Sequence, residues 1–286
     1  NVEESLMLPF SKWCDMHNFK VLKTVYVHYF TIFGLGNIDE VPALYVLRIM
    51  NYNHLMCFMN IPQFYTWERG VAVLAESLAR KIRDVRLGQE VIDISLSAQA
   101  TLWLETPYEK LEFDKVIITA PLDQFSDLDL WDEETKGYLR SIKYQNFNVY
   151  AFIVDNLPKG CGCVLDNLSP DRRGHIMIWD SRWNISDVEG MVILYSYEPP
   201  KTSNKTPLEY IKEDLARLGI KNPRLYQAKE WKHCPYVDTH ILEQGFYDKL
   251  DSIQGKNNLY LAGEIMSMLS IENSIQYSEY LLDSYF

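Results

Sequence analysis

Apolar residues in the first part of the chain recur at the spacing of helices. Between Val71 and Ile82 they fall three or four positions apart, which is the mark of an amphipathic helix. Ser11 is a residue type that caps helix N-termini, while Gly34 and Gly36 form a cluster that ends a helical segment. The pattern therefore predicts several helices before any strand. Their predicted ranges are 12–18, 20–32, 43–50 and 71–82.

From residue 90 onward the period changes to two, as in strands that bury one face. Residues 90–96 and 101–105 alternate between apolar and polar side chains and predict a half-exposed hairpin. Residues 115–120 form an apolar run ended by Pro121, which predicts a central strand buried on both faces. Further β-rich runs predict one antiparallel sheet. They span residues 144–154, 174–180 and 190–198, and a helix over 207–218 with Thr206 as its cap follows them.

The last part of the chain predicts a strand, a turn and a helix in that order. Residues 258–262 form a short apolar strand, Gly263 and Glu264 follow it, and residues 271–286 predict a closing helix. In open α/β sheets, ligands bind at the carboxyl ends of strands, and free N–H groups at a helix start attract anionic groups. We therefore expect an α/β (α+β) fold with a ligand site near this turn.

Composition narrows the classes of function. The 286 residues are enough for one large or two modest domains. The net charge of −11 argues against nucleic acid as a ligand. No apolar run reaches the ~18–20 residues that cross a bilayer, so we expect no transmembrane segment. The 5 cysteines form no dense, even framework, which predicts a reducing compartment and thus a cytoplasmic location.

Aromatic residues stand out, at 13% of the chain. They are abundant in residues 13–67 and 144–197. Aromatic side chains usually fill cores, but they also build flat apolar pockets. A cavity for a planar or polycyclic small molecule would suit this surplus.

Several short motifs invite a functional interpretation but favour a structural one. The C-x-C pair at 161–163 lacks the second dyad of a zinc site and predicts a strand and turn. His28 and His54 have no metal-ligand spacing, so no metal is expected. Residues 171–173 predict a solvated turn, and the acidic cluster at 123–134 predicts a solvated face.

A family resemblance rests mainly on the tail. The segment 259–282, which contains Ala262-Gly263-Glu264, resembles the C-terminal FAD signature of flavin-containing amine oxidases. Other segments are similar to a microbial branch that includes β-cyclopiazonate dehydrogenase-like oxidoreductases. These segments are 8–10, 42–47, 231–237, 245–250 and 254–255, and the similarity runs from about residue 6 to the end.

The resemblance implies that FAD lies across a Rossmann-type domain, with a sheet-plus-helix domain forming the substrate cavity over the flavin ring. It divides the chain into four parts. Residues 1–70 are expected to be the helical part of the substrate domain, 71–122 the FAD-domain helix and strands, 123–235 the substrate-domain sheet and helix, and 236–286 the C-terminal FAD-domain segment.

The same resemblance assigns cofactor-binding roles. Val91 corresponds to a strand residue whose backbone binds the adenine, and Ala120 and Pro121 to a loop beneath the dinucleotide. Gly263 and Glu264 correspond to the turn beside the pyrophosphate and ribityl chain. The last set, Ile271, Glu272 and Asn273, corresponds to the helix start that faces the pyrimidine edge of the flavin.

Trp231 and Tyr236 are the candidate catalytic residues. In relatives this segment passes close to the flavin face, where an aromatic ring stacks against the substrate. The alternative for Trp231 is a core residue between domains. His233, which lies between them, is an acid–base candidate, but no carboxylate partner is visible in the sequence.

One departure from the family pattern bears on function. Relatives begin with a strand, G-x-G-x-x-G and an acidic residue, and this sequence contains none of them in that order; Gly34-x-Gly36 follows helical sequence instead. We expect roughly the first ~150 residues of the family pattern to be absent, the size of one dinucleotide-binding half with its loops. The chain is then a fragment, a subunit whose partner chain carries that half, or a relative that no longer uses flavin.

The expected function is FAD-dependent oxidation, with hydride abstraction from a C–N or activated C–C bond of a small apolar or aromatic metabolite. Two alternatives stay open. One is a flavin-free small-molecule binding module or partner subunit of a split flavoenzyme. The other is a non-redox cyclase or isomerase that uses the same cavity.

Overall fold

The computed structural model describes residues 3–49, 52–53, 56, 67, 70–156, 160–181 and 190–286. His54, for which the sequence predicts no metal, lies outside these residues. Among the described residues, no helix combines the length and the apolar character that crossing a membrane requires.

The N-terminal part is helical, as predicted. After a 3-10 turn at Glu4–Met7 come α1, Phe10–Met16; α2, Lys20–Ile32; α3, Ala43–Ile49; and α4, Ala72–Ala79. The bounds predicted for α2 are confirmed. Ser11 was predicted to cap α1 but lies inside its first turn, where its N–H donates to Ile38 O at 3.0 Å. A tertiary contact thus binds an N–H group that a capping side chain would otherwise take.

A three-stranded antiparallel sheet follows α4. Its strands are β1, Asp93–Leu96; β2, Leu102–Glu105; and β3, Lys110–Phe113. The predicted hairpin of β1 and β2 is confirmed, with Ile94 opposite Leu104. The third strand was not predicted. It forms because a tight turn, closed by the Thr106 N–H donating to Glu109 O at 2.9 Å, returns the chain beside β2.

Two short parallel strands lie at the centre of the candidate cofactor region. They are β4, Val116–Ile118, and β10, Leu259–Leu261, with Ile118 opposite Leu261. The prediction that residues 115–120 are buried on both faces is wrong, because Ile117 is 40% exposed. Within the described part of the chain, β4 has β10 as its one strand neighbour, and the core covers only the face that carries Val116 and Ile118.

The largest sheet has five antiparallel strands, and the prediction of one antiparallel sheet is confirmed. Its order is β6, Cys161–Cys163; β7, Ile178–Ser181; β8, Met191–Tyr197; β5, Lys143–Ile153; and β9, Arg224–Tyr236. The strand predicted for the C-x-C pair is present. Strand β9 was not predicted, since its first nine residues are exposed and carry no alternation between apolar and polar positions.

The remaining helices surround these sheets. They are α5, Glu133–Arg140; α6, Pro207–Arg217; α7, Thr239–Glu243; α8, Phe246–Ile253; α9, Glu264–Ser267; and α10, Ile271–Tyr285. The predicted cap of α6 is confirmed: the Thr206 side chain accepts from the Glu209 N–H, while the Glu209 carboxylate accepts from the Thr206 N–H. This reciprocal pair is a capping box.

The five-stranded sheet has two faces with different surroundings, because successive side chains of a strand point to opposite sides. Tyr150 and Phe152 of β5 pack with Ile211 of α6, and we name this side the helix-covered face. Phe147 and Val149 point to the other side, which we name the open face. The residues opposite on β8 follow the same alternation.

A buried polar cluster joins α6 to the segment before β7. The Asp214 carboxylate accepts a hydrogen bond from Asn167 Nδ2 at 3.1 Å and lies 3.3 Å from Arg217 Nη2. Arg172 donates to Asn167 Oδ1, so the solvated turn predicted at residues 171–173 is wrong for Arg172. Sequence spacing could not reveal this cluster, because its members lie up to 50 residues apart.

Candidate functional site

The turn after β10 brings two predicted segments together. The Ala262 N–H donates to Ile118 O at 2.8 Å, so the ends of β10 and β4 lie side by side. Gly263 has a φ of +89°, and a Cβ added there would lie 2.6 Å from Thr119 O. Only glycine allows this approach without moving the backbone.

The residues that follow the two strands share this edge. Ala120 and Pro121 come directly after β4, and Gly263 and Glu264 come directly after β10. In a parallel pair the carboxyl ends lie at the same edge. The structure therefore places all four predicted residues at one edge of the pair.

Helix α10 begins close to this edge. The Ser270 side chain accepts from the Asn273 N–H at 3.0 Å, and Asn273 Nδ2 donates to Met268 O at 2.6 Å. Ile271 and Glu272 are exposed at the first turn. First-turn N–H groups have no partner within their own helix, and they carry the positive end of the helix dipole. The helix start is thus suited to an electron-rich group.

Two concavities meet at Glu264. One is a groove of about 540 Å³ along α10, lined in part by Ser270, Ile271 and Ser274. The other is a cavity of about 580 Å³ on the open face of the five-stranded sheet. Glu264 lines both, so the helix start and the cavity are neighbours. We name these the α10 groove and the open-face cavity.

The open-face cavity has mainly apolar and aromatic walls. Its rings come from four elements or their ends: Phe33, Phe147, Tyr195 and Trp231, beside the aliphatic side chains Ile32, Val149 and Ile178. Phe147 and Tyr195 stack with ring centroids 5.8 Å apart. The aromatic surplus predicted a cavity of this kind, and three of the four rings fall in the two predicted ranges.

Glu264 and His233 are two of the titratable residues that line the cavity. Partial desolvation raises the pKa of the Glu264 carboxyl, so it keeps its proton to a higher pH than a fully solvated glutamate. Burial lowers the pKa of His233, whose ring also hydrogen-bonds to the Phe33 carbonyl. His233 is therefore neutral at pH 7 and packs against Phe147 with centroids 5.7 Å apart.

Lys232 closes part of the rim through an ion pair. Its Nζ lies 2.6 Å from Asp123 Oδ2, across the gap between β9 and the turn after β4. The solvated face predicted for the acidic cluster is thus wrong for Asp123, whose carboxylate is largely covered. Asp132 of the same cluster caps α5 by accepting from the Thr135 N–H.

Trp231 and Tyr236 lie in different places. Trp231 is 53% exposed, lines the open-face cavity and has Lys229 Nζ 5.2 Å from its ring centroid, so it does not plug a core. Tyr236 is buried, edge-on to Tyr45, and does not line the cavity. A bulge with Cys234 at φ +50° separates the two, and after it β9 turns into the core.

Val91 also lies apart from the turn. It is half-buried against the main core two residues before β1, rather than inside a strand as predicted. It lines neither the α10 groove nor the open-face cavity.

Some site residues escaped the sequence analysis. Ile178 and Asp180 of β7 and Cys161 of β6 line the cavity, but nothing in their spacing marks them. They reach it because β6 and β7 pair beside β8 on the same sheet. Within the described part of the chain, no cluster of His, Cys, Asp and Glu is suited to a metal ion.

One family matches most of the chain, and solved structures share its fold. The family described as flavin containing amine oxidoreductase matches residues 26–275. Among solved structures, the CLA-producing fatty acid isomerase from P. acnes is similar, with a TM-score of 0.90 and 26% identity over 100% of this chain and 68% of that one. An oxidoreductase from Methanosarcina mazei shares the fold, with a TM-score of 0.63 and 12% identity over 97% of this chain and 68% of that one. No curated protein matches the sequence.

Proposed function

The chain belongs to the family of flavin containing amine oxidoreductases, and from that premise we propose that it binds FAD and acts on an apolar small molecule in the open-face cavity. The proposed reaction is hydride removal from a C–N or activated C–C bond. The observation that carries the proposal is the position of Glu264, which lines both the α10 groove and an aromatic cavity. Family membership also favours this proposal over a flavin-free binding module.

The residues at the turn fit an elongated dinucleotide. Gly263 leaves no side chain between the ends of β4 and β10, so a phosphate chain can approach the backbone there. The start of α10 supplies N–H donors at Ile271 and Glu272, whereas the Asn273 N–H donates to the Ser270 side chain. Ala120 and Pro121 lie at the same edge of the strand pair. Val91, just before the three-stranded sheet β1–β3, would contact the adenine. Bound flavin supplies the hydride acceptor.

The protein's own side chains orient the substrate and exclude water from the reacting carbon. The rings of Phe33, Phe147, Tyr195 and Trp231 form walls that orient a flat or chain-like apolar substrate. Such walls also keep water from the reacting carbon, and holding it within ~3–3.5 Å of an acceptor accounts for much of the rate. His233, neutral and fixed by the Phe33 carbonyl, adds no charge to this surface.

A second candidate function is isomerisation of an unsaturated fatty acid. It is favoured by the similarity to the P. acnes fatty acid isomerase over the whole of this chain. An apolar cavity of about 580 Å³ suits an acyl chain as well as a planar ring. The two functions differ in their electron balance, because oxidation transfers two electrons to an acceptor and isomerisation leaves none to transfer.

We propose a domain division in which one set of segments binds the cofactor and the other forms the substrate cavity. Residues 71–122 and 236–286 carry the cofactor edge, and residues 1–70 and 123–235 carry the cavity walls. A cytoplasmic location also remains our proposal; the described cysteines, which are Cys14, Cys161, Cys163 and Cys234, are all free thiols.

Flavin binding is tested by titrating FAD into the purified protein and recording the bound-flavin absorbance near ~450 nm. Gly263→Ala is expected to lose that binding, since its Cβ would strike Thr119 O. Gly219→Ala is the matched control, because Gly219 also has a positive φ, +69°, but nothing within 4 Å of the added Cβ. Equal FAD binding by the two variants would refute the assigned cofactor edge.

Oxidation and isomerisation are distinguished by measuring whether turnover consumes an electron acceptor. The flavin-loaded protein is incubated with oleate, linoleate or an aromatic amine, with and without oxygen. Oxidation consumes one acceptor per product, whereas isomerisation yields a product of unchanged mass without an acceptor. Turnover that stops when oxygen and other acceptors are removed supports the first function, and turnover that continues supports the second.

A further inference from the structure

A second concavity lies across the five-stranded sheet from the open-face cavity. It has a volume of about 620 Å³ and lies between the C-terminal end of β8, the segment that follows it and the edge strand β9. Polar residues line it, including Asn146, Asn148, Glu198, Ser203, Glu230 and Lys232. We name it the polar groove. The proposed oxidation or isomerisation does not use it.

Asn148 lies in the floor of the polar groove with an unused acceptor. The residue is 1% exposed, and its Nδ2 donates to Glu198 Oε2 at 2.9 Å. That bond fixes the orientation of the amide, since a flipped group would set its oxygen against a carboxylate. Its Oδ1 has no hydrogen-bond partner among the described residues. A buried acceptor left without a donor costs free energy, so a donor is expected there.

Two carboxylates flank Asn148. Glu230 lies directly opposite it on β9, and Glu198 follows the end of β8 on the same face. Glu198 is held in place because its N–H donates to Asn146 O at 3.0 Å. Both carboxylates raise the pKa of Tyr150, although burial is the larger cause, so both lie near this ring. Two like charges on one face of a sheet repel each other, and a bound cation would relieve that repulsion.

The lysines of the groove do not neutralise these carboxylates. Lys205 Nζ lies 2.6 Å from Glu213, and Lys232 Nζ lies 2.6 Å from Asp123. Lys201 is exposed to solvent. Glu230 has no ion pair within the described part of the chain. The Asn148 amide oxygen and the Glu230 carboxylate are thus acceptors of the groove to which none of these lysines is paired.

We propose that the polar groove binds the primary ammonium group of an organic amine. An ammonium carries three N–H donors and one positive charge. These match the Asn148 amide oxygen and the carboxylates of Glu198 and Glu230. Trp231 and Lys232 of β9 line both this groove and the open-face cavity, which lie on opposite sides of the strand. The proposal rests on neither flavin nor turnover.

Isothermal titration with butylammonium tests the site, with butanol and butyrate as probes of the same length but different charge. We expect binding of butylammonium alone, and weaker binding at high salt. Glu230→Gln removes one exposed carboxylate and is expected to weaken binding about three- to fivefold, the range of a partly solvated ion pair. Glu112→Gln, on the separate three-stranded sheet, is the matched control and should leave binding unchanged.

Two results would overturn the proposal. One is butanol or butyrate binding as tightly as butylammonium, which would show that charge recognition is absent. The other is identical affinity in the Glu230→Gln and Glu112→Gln proteins. Asn148→Leu gives an independent check: it fills the floor, removes the orphaned acceptor, and should abolish butylammonium binding in a protein whose thermal melt shows it is folded.

Discussion

The helix-covered face and the open face of the five-stranded sheet share strands β5 and β8, but they differ in what covers them. On the helix-covered face, Tyr150 and Phe152 are sealed under α6. On the open face, Phe147, Val149 and Trp231 border a cavity of about 580 Å³. The first face holds the domain together, whereas the second offers apolar surface to a ligand.

The difference shows that apolar side chains alone do not define a core. Both faces carry aromatic and branched residues at alternate positions of β5 and β8. Burial depends on what lies above each face, and the capped amphipathic helix α6 packs on the helix-covered face. The apolar surface left on the open face is the surface available for binding.

The largest expected effect is on the helix-covered face. Phe152→Ala removes a fully buried ring and should lower the free energy of unfolding by ~4 kcal/mol, within the range for Phe→Ala in cores. Val149→Ala, on the open face of the same strand, should cost much less. Urea denaturation of both proteins measures the difference. Equal losses would show that the two faces contribute alike.

The second-largest loss of unfolding free energy is expected on removing Asp214, the buried carboxylate of α6. Asp214→Ala leaves Asn167, His175 and Arg217 without their shared acceptor, at an expected cost of roughly 3 kcal/mol. Glu213→Ala, the exposed neighbour on the same helix, should change stability little. Thermal and urea unfolding of the two variants measure the difference. Equal losses of unfolding free energy in Asp214→Ala and Glu213→Ala would contradict the role assigned to Asp214.

The cap of α6 has a smaller effect that depends on pH. Thr206→Ala should cost about 1 kcal/mol at pH 7. Hydrogen bonds from the Thr206 backbone and side chain lower the pKa of Glu209 in the folded protein. A carboxyl with a depressed pKa stabilises the fold above its unfolded pKa and loses that effect as the pH falls through its folded pKa.

The difference between wild-type and Thr206→Ala proteins should therefore be full at neutral pH and shrink below pH ~4. Chemical denaturation at several pH values measures it. A difference that stays constant down to pH ~3 would exclude Glu209 as the linked group.

The smallest expected effect on stability is at the cavity wall. Trp231→Ala should change the free energy of unfolding by no more than about 0.5 kcal/mol, because half of the ring is already exposed. It should weaken binding of oleate to the open-face cavity two- to tenfold, as for loss of an aromatic contact worth ~0.5–1.5 kcal/mol. Tyr226→Ala, exposed on the same strand but outside the cavity, is the control.

Elements with strong local signals were predictable from the sequence. The period of 3.6 and flanking residues place α2 at Lys20–Ile32, and Thr206 marks the start of α6. The strand, turn and helix around Gly263 were likewise predicted. Strand β9 was not, because an exposed edge strand has no buried face to impose alternation.

The candidate site divides in the same way. Gly263, Glu264 and the start of α10 lie in one continuous segment, so a resemblance could locate them. Phe33 and Tyr195 lie far apart in the sequence, and only strand pairing places them on one wall. Tyr236 shows the reverse: it is five residues from Trp231, yet a bulge places it in the core.

By itself the sequence determined many of the helices and strands, and that the tail carries a flavin-family signature, because these depend on neighbouring residues and local periodicity. Tertiary structure alone decided which apolar face is covered, which polar groups of the polar groove lack partners, and that Glu264 lines both the α10 groove and the open-face cavity. Those outcomes depend on contacts between distant segments, and a side chain's burial and charge environment exist only once such segments pack.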